Sequence, residues 1–163
     1  MVAGLVCLPA CAAEANLAGL PNFHQVNEHI YRGGWPAPEG WTSLAKLGVK
    51  TVVDLRHETT QSAEMERRAV EAAGIRYVLV PLSGLAAPSP RDISKLLDLL
   101  DSEANWPVFV HCQRGSDRTG TVIACYRIAH DHWDNRKALA EAQSFGMSRA
   151  EIAMRHFILH FGN

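Results

Sequence analysis

The segment from residue 111 to residue 120 brings a nucleophile and a fixed cation together. It reads His-Cys-Gln-Arg-Gly-Ser-Asp-Arg-Thr-Gly, with five residues between Cys112 and Arg118. A loop of that length can curl around one tetrahedral anion, and a planar guanidinium can donate to two of the anion's oxygens. A tight turn through Gly115, followed by a helix N-terminus, would add backbone N–H groups. The segment therefore predicts a phosphate-binding loop.

The same segment predicts covalent chemistry at Cys112. A helix N-terminus and nearby cations favour the thiolate form of a cysteine, and the thiolate is the nucleophile. In-line attack on phosphorus would give a phosphocysteine that water then hydrolyses. Arg118 and the loop amides would stabilise the three equatorial oxygens, and Thr119 could hydrogen-bond the sulfur to make it a better leaving group. This chemistry requires no metal and no cofactor.

The other residues of the loop are expected to bind the phosphate or to support the loop. His111 is expected to orient the loop by hydrogen bonds rather than to transfer protons, and Gly120 to support its end. Arg114 is expected to point outward, where it can contact a second phosphate or a substrate carboxylate. The expected phosphate-binding residues are Gln113, Arg114, Gly115, Ser116, Asp117 and Arg118.

Strands and helices alternate along the chain in an order that can position this loop. Residues 50–55 and 107–111 are short, largely apolar runs, typical of buried parallel strands. Helices are predicted to begin near Pro38, Thr60, Pro90, Thr119 and Asp134, and a capping box at Ser148 and Glu151 predicts one more. The pattern predicts an α/β fold, with a central, mostly parallel sheet of four to five strands flanked by helices. Cys112 would then lie at the carboxyl edge of the sheet, where ligands bind.

Length and composition predict one globular domain with an unusual N-terminus. The 163 residues suffice for a single core, which we assign to residues 21–163. Residues 1–20 are expected to be a signal-peptide remnant or a flexible tail, because the first fifteen are apolar and end in small residues. This favours a periplasmic or secreted protein, with a cytoplasmic one as the alternative. The apolar segment is too short to span a bilayer.

Charge and cysteine content exclude several further classes. A net charge of −1 gives no basic field for nucleic acid, and a monomer is expected. Cleavage of the N-terminal segment would remove two of the four cysteines and leave Cys112 and Cys125, so no disulfide framework is predicted. The paired histidines, His130 with His132 and His156 with His160, are interpreted as solvated or packing residues rather than metal ligands.

The loop matches a known signature. Residues 111–119 resemble the pattern His-Cys-any-any-Gly-any-any-Arg-Ser/Thr of the protein tyrosine phosphatase superfamily, and Gly120 adds its common glycine. Residues 26–36 (VNEHIYRGGWP) and 52–56 (VVDLR) are similar to segments of its small bacterial and fungal dual-specificity-like members. The resemblance implies a cysteine-phosphatase fold and hydrolysis of phosphotyrosine, with phosphoserine, phosphothreonine or small phosphoesters as further substrates. It also implies that Arg32 and Arg56 support the loop or its rim. Structural salt bridges with acids such as Asp54 or Glu58 are an equally weighted interpretation of these two arginines.

The general acid is the departure from this family pattern. The superfamily usually supplies an aspartate from the loop after the preceding strand, but residues 81–90 contain no acid. Asp92 is the nearest acid, although it suits the first turn of a helix, where an acid is favoured by the dipole. Asp117 resembles the loop aspartate of myotubularin-like lipid phosphatases. Our hypothesis is that Asp117 is the acid, and holding Arg118 or a loop amide is its alternative role.

Two further functions remain open at this stage. One is a phosphoinositide phosphatase, although loops that favour polyphosphorylated inositols usually carry a lysine where this chain has Ser116. The other is a phosphate-binding module with weak turnover, which the missing acid suggests.

Overall fold

The computed structural model describes residues 17–57 and 59–162. The strands are β1 (His24–Gln25), β2 (Ile30–Gly33), β3 (Thr51–Asp54), β4 (Arg76–Leu79) and β5 (Val108–His111). The helices are α1 (Pro38–Lys46), α2 (Thr60–Ala72), α3 (Pro90–Asp101), α4 (Asp117–Ala129), α5 (Asn135–Ser144) and α6 (Ile152–His160), with a 3-10 turn at Glu103–Asn105. Residues 1–16 of the predicted signal-peptide remnant or tail lie outside the described residues, as does Glu58, whereas its last four residues, 17–20, are described. None of the described helices has the length and apolar character needed to cross a bilayer.

The strands form one mixed sheet in the order β1-β2-β5-β3-β4. β1 is antiparallel to β2, and the other pairs are parallel. The predicted mostly parallel sheet flanked by helices is therefore confirmed, and β5 is its central strand. In the register, His111 lies opposite Gly33 on one side and Asp54 on the other. The loops that follow these three strands consequently leave the sheet at one edge.

Helices cover both faces of the sheet because side chains alternate along buried strands. On one face, Val52 and Phe109 pack with Trp41 of α1 and Val70 of α2. On the other face, apolar residues of β3 and β5 pack with α3 and α4; these include Val53, Val108, Val110, Ile93, Leu96, Val122 and Ile123. Leu20 is also buried, in the first of these clusters. The central strand is thus buried on both sides, as its apolar sequence requires.

The starts of two helices differ from the prediction. α4 begins at Asp117 rather than Thr119, so the loop is shorter and Arg118 lies in the first helical turn. The capping box at Ser148 is wrong, because α6 begins only at Ile152 and has no side-chain cap. Instead, the Ser148 N–H donates to the Asp117 carboxylate and its Oγ accepts from the Ala150 N–H. Ser148 is thus held by a residue distant in sequence, Asp117, and does not cap the helix that follows it.

Candidate active site

Cys112 lies at the junction between the central strand and a buried helix. It directly follows β5, and α4 begins five residues later. The side chain is a free thiol, only 2% exposed, and belongs to the core cluster between the sheet and α4. The strand, the loop and the helix that the sequence predicted are therefore present.

The carbonyl groups of the loop are held outward by three separate donors. Gln113 O accepts from the Trp35 N–H at 3.1 Å, and Arg114 O accepts from Asn22 Nδ2 at 3.2 Å. Gly115 O accepts from Arg32 Nη2 at 2.7 Å. In a trans peptide the N–H of the next residue points away from the carbonyl. The N–H groups of residues 114–116 are thus directed to the opposite, inner side of the loop.

These N–H groups are available to a ligand. Within residues 17–57 and 59–162, the N–H groups of residues 113–116 have no acceptor. Backbone donors are seldom left without a partner, and successive free N–H groups at a helix N-terminus form an anion site. The arrangement can hold the oxygens of a phosphate group.

Gly115 allows the loop to lie directly on the end of β2. Its φ is +71°, and an added Cβ would lie 2.3 Å from the carbonyl carbon of Gly33 and 2.5 Å from the nitrogen of Gly34. Gly34 is close to the loop in turn, since its added Cβ would approach the carbonyl oxygens of Gln113 and Arg114 at 3.2 Å. Gly33 and Gly34, at the end of β2, are therefore the support against which the loop turns.

Arg118 and Thr119 start α4 with polar groups that lack protein partners. In the part of the chain that the structure describes, the Arg118 guanidinium makes no ion pair or hydrogen bond. Thr119 is fully buried, and its Oγ1 has no hydrogen-bond partner among these residues. The predicted bond from Thr119 to the Cys112 sulfur is not made in this structure. Both groups therefore retain hydrogen-bonding capacity for a ligand.

Asp117 is tied to the loop and to the segment before α6. Its Oδ2 accepts from Arg114 Nη2 at 2.6 Å and from Ser116 Oγ at 3.2 Å. Its Oδ1 accepts from the Ser148 N–H at 2.8 Å. The carboxylate thus holds two loop side chains and the Ser148 N–H, rather than Arg118 or a loop amide as the alternative role expected. The acid role stays a prediction, and it requires the carboxylate to release one of these donors.

His111 and Arg56 belong to a buried charged cluster behind the loop. His111 Nδ1 lies 3.4 Å from Cys112 O, and its Nε2 lies 2.9 Å from Glu66 Oε1, out of line for a hydrogen bond. Arg56 donates to both oxygens of Asp54 at 3.0 Å and to Glu66 Oε2. Tyr77 OH also donates to Asp54. The salt bridge predicted between Arg56 and Asp54 is present.

The pKa of Asp54 in this cluster is set by its burial and by the charged residues beside it. Burial raises the pKa of Asp54, but the charge of His111 and the hydrogen bonds from Arg56 together lower it by more. The pKa of Asp54 therefore lies below its usual value. Asp54, Glu66 and His111 hold atoms close enough together to suggest a metal site. The Arg56 guanidinium already bonds both carboxylates, so the cation of this cluster is Arg56.

Glu66 is the residue of this cluster that the sequence prediction missed. It lies on α2, whose buried face consists of Ala63, Glu66 and Val70. A carboxylate on the apolar face of a helix is unusual, because a buried carboxylate requires a hydrogen-bond or ion-pair partner. The position of Glu66, three residues after Ala63 and four before Val70, was the feature of the sequence that could have identified it. Its partner, His111, was identifiable only from the fold.

Three further residues discussed from the sequence, Arg32, Asp92 and Cys125, lie at separate places in the fold. Arg32 is buried beside the loop, with its guanidinium 4.5 Å from the centre of the Phe145 ring. Asp92 is exposed in the first turn of α3, where its N–H and its Oδ2 both bond Ser89 Oγ. The helix-start role expected for Asp92 is thus the one it occupies. Cys125 is buried on α4, and burial raises its thiol pKa to about 12.

Trp35 forms part of the rim on the β2 side. Its N–H is bonded to the loop, and its ring lies 4.4 Å from the Arg56 guanidinium. The side chain is 42% exposed. It also lines a groove of about 1160 Å³ between α1 and α2. An apolar surface therefore adjoins the loop on this side.

Comparisons with known proteins agree with this geometry. The profile of a family described as "DSP-PTPase phosphatase fused to NAD+ Kinase" matches residues 16–159. The dual specificity protein phosphatase TpbA of Pseudomonas aeruginosa is 31% identical over 125 residues, which cover 77% of this chain and 55% of TpbA. Inositol diphosphatase DSP2 of Oryza sativa is 30% identical over 154 residues, which cover 92% of this chain and 74% of DSP2. This chain thus spans about half the length of TpbA.

Solved structures show the same architecture. The catalytic core of the PP-IP phosphatase SIW14 from S. cerevisiae, bound to citrate, superposes with a TM-score of 0.78 at 27% identity, covering 89% of this chain and 88% of that one. A TpbA variant in complex with pTyr gives 0.73 at 26% identity, covering 86% and 85%. Both structures therefore have the same overall fold as this chain over more than four fifths of its length.

Proposed function

We propose a function from the premise that this chain belongs to the DSP-PTPase family of phosphatases. It hydrolyses phosphomonoesters through a phosphocysteine intermediate, with phosphotyrosine as the principal substrate and phosphoserine or phosphothreonine as further ones. One observation carries this proposal: the loop and first helical turn that follow Cys112 hold three N–H groups, of residues 114–116, and the Arg118 guanidinium without partners among the described residues. A dianionic phosphate would satisfy these donors together.

The reaction proceeds in two displacements at phosphorus. The Cys112 thiolate attacks, a sulfur–phosphorus bond forms, and the bond to the leaving oxygen breaks. The loop N–H groups and Arg118 bind the equatorial oxygens as charge redistributes. Water then attacks the phosphocysteine, inorganic phosphate leaves, and the thiolate is restored. A hydrogen bond from Thr119 Oγ1 to the departing sulfur would assist the second displacement.

Asp117 is the proposed proton donor to the leaving oxygen. Its Oδ2 is bonded to Arg114, whose side chain is 69% exposed. A substrate anion that attracts Arg114 would remove this donor from Oδ2, and the carboxyl could then hold a proton. The same group would accept a proton from the attacking water in the second step.

Phosphotyrosine is favoured by two observations. TpbA has been solved with pTyr, and in this chain the exposed ring of Trp35 offers an aromatic surface beside the loop. Aromatic rings pack against one another in offset or edge-to-face arrangements, so a tyrosine ring would fit this rim.

A second candidate is hydrolysis of an inositol diphosphate. DSP2 and SIW14, which are named for that chemistry, resemble this chain over most of its length. The exposed Arg114 beside the loop could contact an additional phosphate. Ser116, where such loops usually carry a lysine, argues for phosphotyrosine instead.

A substrate panel tests the proposal. It comprises p-nitrophenyl phosphate, phosphotyrosine, phosphoserine and phosphothreonine peptides, and a diphosphoinositol phosphate, each assayed with wild type, Cys112→Ser and Cys125→Ala. We expect turnover in wild type and Cys125→Ala, none in Cys112→Ser, and the highest kcat/KM on phosphotyrosine. A higher kcat/KM on the inositol diphosphate would select the second candidate. Binding of vanadate by wild type without turnover of any substrate would indicate a phosphate-binding module.

A further inference from the structure

We propose that Arg32 is a positioning residue that supplies a second positive charge to the site from behind the loop, with the Cys112 thiolate as its counter-charge. This inference rests on the proposed function, since it concerns the same nucleophile. It assigns Arg32 a specific electrostatic role, beyond general support of the loop.

Arg32 is placed by the sheet itself. It is the third residue of β2 and lies opposite Val110 of β5, two residues before Cys112. Only 1% of the side chain is exposed. Its Nη2 donates to Gly115 O at 2.7 Å, on the outer side of the loop. Arg32 is therefore on the opposite side of the loop peptides from the free N–H groups.

The charge of Arg32 has no acidic hydrogen-bond partner among the described residues. Its Nε and Nη1 are buried without a hydrogen-bond partner among residues 17–57 and 59–162. The acid Glu141 affects it electrostatically, but Glu141 is already bonded to Arg127 Nε and Nη2. Stacking on Phe145 compensates part of the burial, since arginine interacts favourably with ring faces. Burying an unpaired cation is unfavourable in free energy, and a nearby anion would offset that penalty.

The Cys112 thiolate is the anion that the fold offers. Burial lowers the pKa of Arg32 to about 10, while the negative charges of Glu141 and Cys112 raise it. Arg32 therefore remains protonated at neutral pH, and its pairing with Val110 places it on the face of the sheet to which Cys112, two residues further on, also belongs. Arg118, in contrast, is partly exposed at the start of α4. Arg32 is thus the more deeply buried of the two arginines.

A second route passes through the loop backbone. The hydrogen bond from Arg32 polarises the Gly115 carbonyl, and the same peptide group carries the Ser116 N–H on its other side. Hydrogen bonds in such a chain strengthen one another. The charge of Arg32 should therefore make the Ser116 N–H a stronger donor to a bound phosphate, although Arg32 itself does not reach it.

The test measures the nucleophile directly, without turnover. The rate of iodoacetamide alkylation at Cys112 is followed against pH by mass spectrometry of the Cys112 peptide. The variants are Arg32→Gln, which keeps an N–H donor without charge, and Arg32→Lys, which keeps the charge. Arg76→Gln, at the far end of β4, serves as control. The other charged groups around Arg32 and the loop stay unchanged: Glu141 and Arg127 near Arg32, the His111, Asp54 and Glu66 cluster behind the loop, and Arg118 in the first turn of α4.

Loss of the charge should raise the pH at which Cys112 reacts. We expect Arg32→Gln to be alkylated about tenfold more slowly than wild type near pH 6, with equal rates at high pH, because nearby opposite charges favour the ionised form. Arg32→Lys and Arg76→Gln should follow the wild-type profile. An unchanged profile in a folded Arg32→Gln protein would overturn the inference.

The outcome remains decisive where folding fails. If Arg32→Gln does not fold, Arg32→Met, which keeps the length of the side chain without its charge, is compared with Arg32→Lys, and equal profiles in these two variants would overturn the proposal. The alkylation profile is independent of hydrolysis. A wild-type protein with no turnover but a charge-dependent profile would refute the proposed function and retain this inference.

Discussion

Replacement of Gly115 by alanine tests how the loop is held. The residue has a φ of +71°, and the added Cβ would lie 2.3 Å from the carbonyl carbon of Gly33. Since ordinary contact begins at 3.4 Å, the loop and the end of β2 must separate by roughly 1 Å, and a misplacement of that size costs about 10²-fold in rate. The left-handed conformation costs a non-glycine residue about 1–2 kcal/mol, and overpacking against a rigid neighbour about 1–3 kcal/mol.

Gly74→Ala is the matched control for this change. Gly74 has a φ of +76°, but nothing lies within 4 Å of its added Cβ. We therefore expect Gly74→Ala to lose about 1–2 kcal/mol of unfolding free energy and no activity. Gly115→Ala should lose more stability than Gly74→Ala, and its kcat/KM on p-nitrophenyl phosphate should fall about 10²-fold.

Urea denaturation and steady-state kinetics on the two variants separate backbone strain from the steric contact. A Gly115→Ala protein with wild-type kcat/KM and the same stability loss as Gly74→Ala would refute the reasoning. It would mean that the loop does not depend on its contact with Gly33 and Gly34 at the end of β2.

Two further predictions concern carboxylates. Asp117→Asn should slow hydrolysis of phenyl phosphate more than that of p-nitrophenyl phosphate, because the poorer leaving group needs a proton, whereas Asp92→Asn should affect neither; an equal loss on both substrates would assign Asp117 to holding the loop. The pKa of Asp54 is below its usual value because His111 and Arg56 outweigh burial, so its ionised form stabilises the fold above about pH 4, and this contribution is lost as the pH falls further. The difference in unfolding free energy between wild type and Asp54→Asn, measured by urea denaturation, should therefore shrink from about pH 6 to about pH 3, and a constant difference would contradict this interpretation.

The sequence alone was sufficient for the strand, loop and helix around Cys112. That unit is contiguous, so the spacing of Cys112 and Arg118, the turn at Gly115 and the apolar runs on either side are all local properties. The α/β class followed for the same reason, because hydrophobic periodicity and turn residues report on neighbouring positions. The strand order and register are set by burial over long distances and could not be read in this way.

The residues that hold the loop were decided by tertiary structure. Arg32 reaches Gly115 across 83 positions of the chain, and Asn22 reaches Arg114 across 92. Local patterns also misplaced Ser148, whose apparent helix cap is replaced by a bond to Asp117. A buried polar group takes whichever partner the fold brings near, because leaving it unpaired is costly. The residues proposed to react with phosphate therefore lie in one short segment of the sequence. The contacts that orient the N–H groups of this segment and balance its charges come from strands and helices distant in sequence.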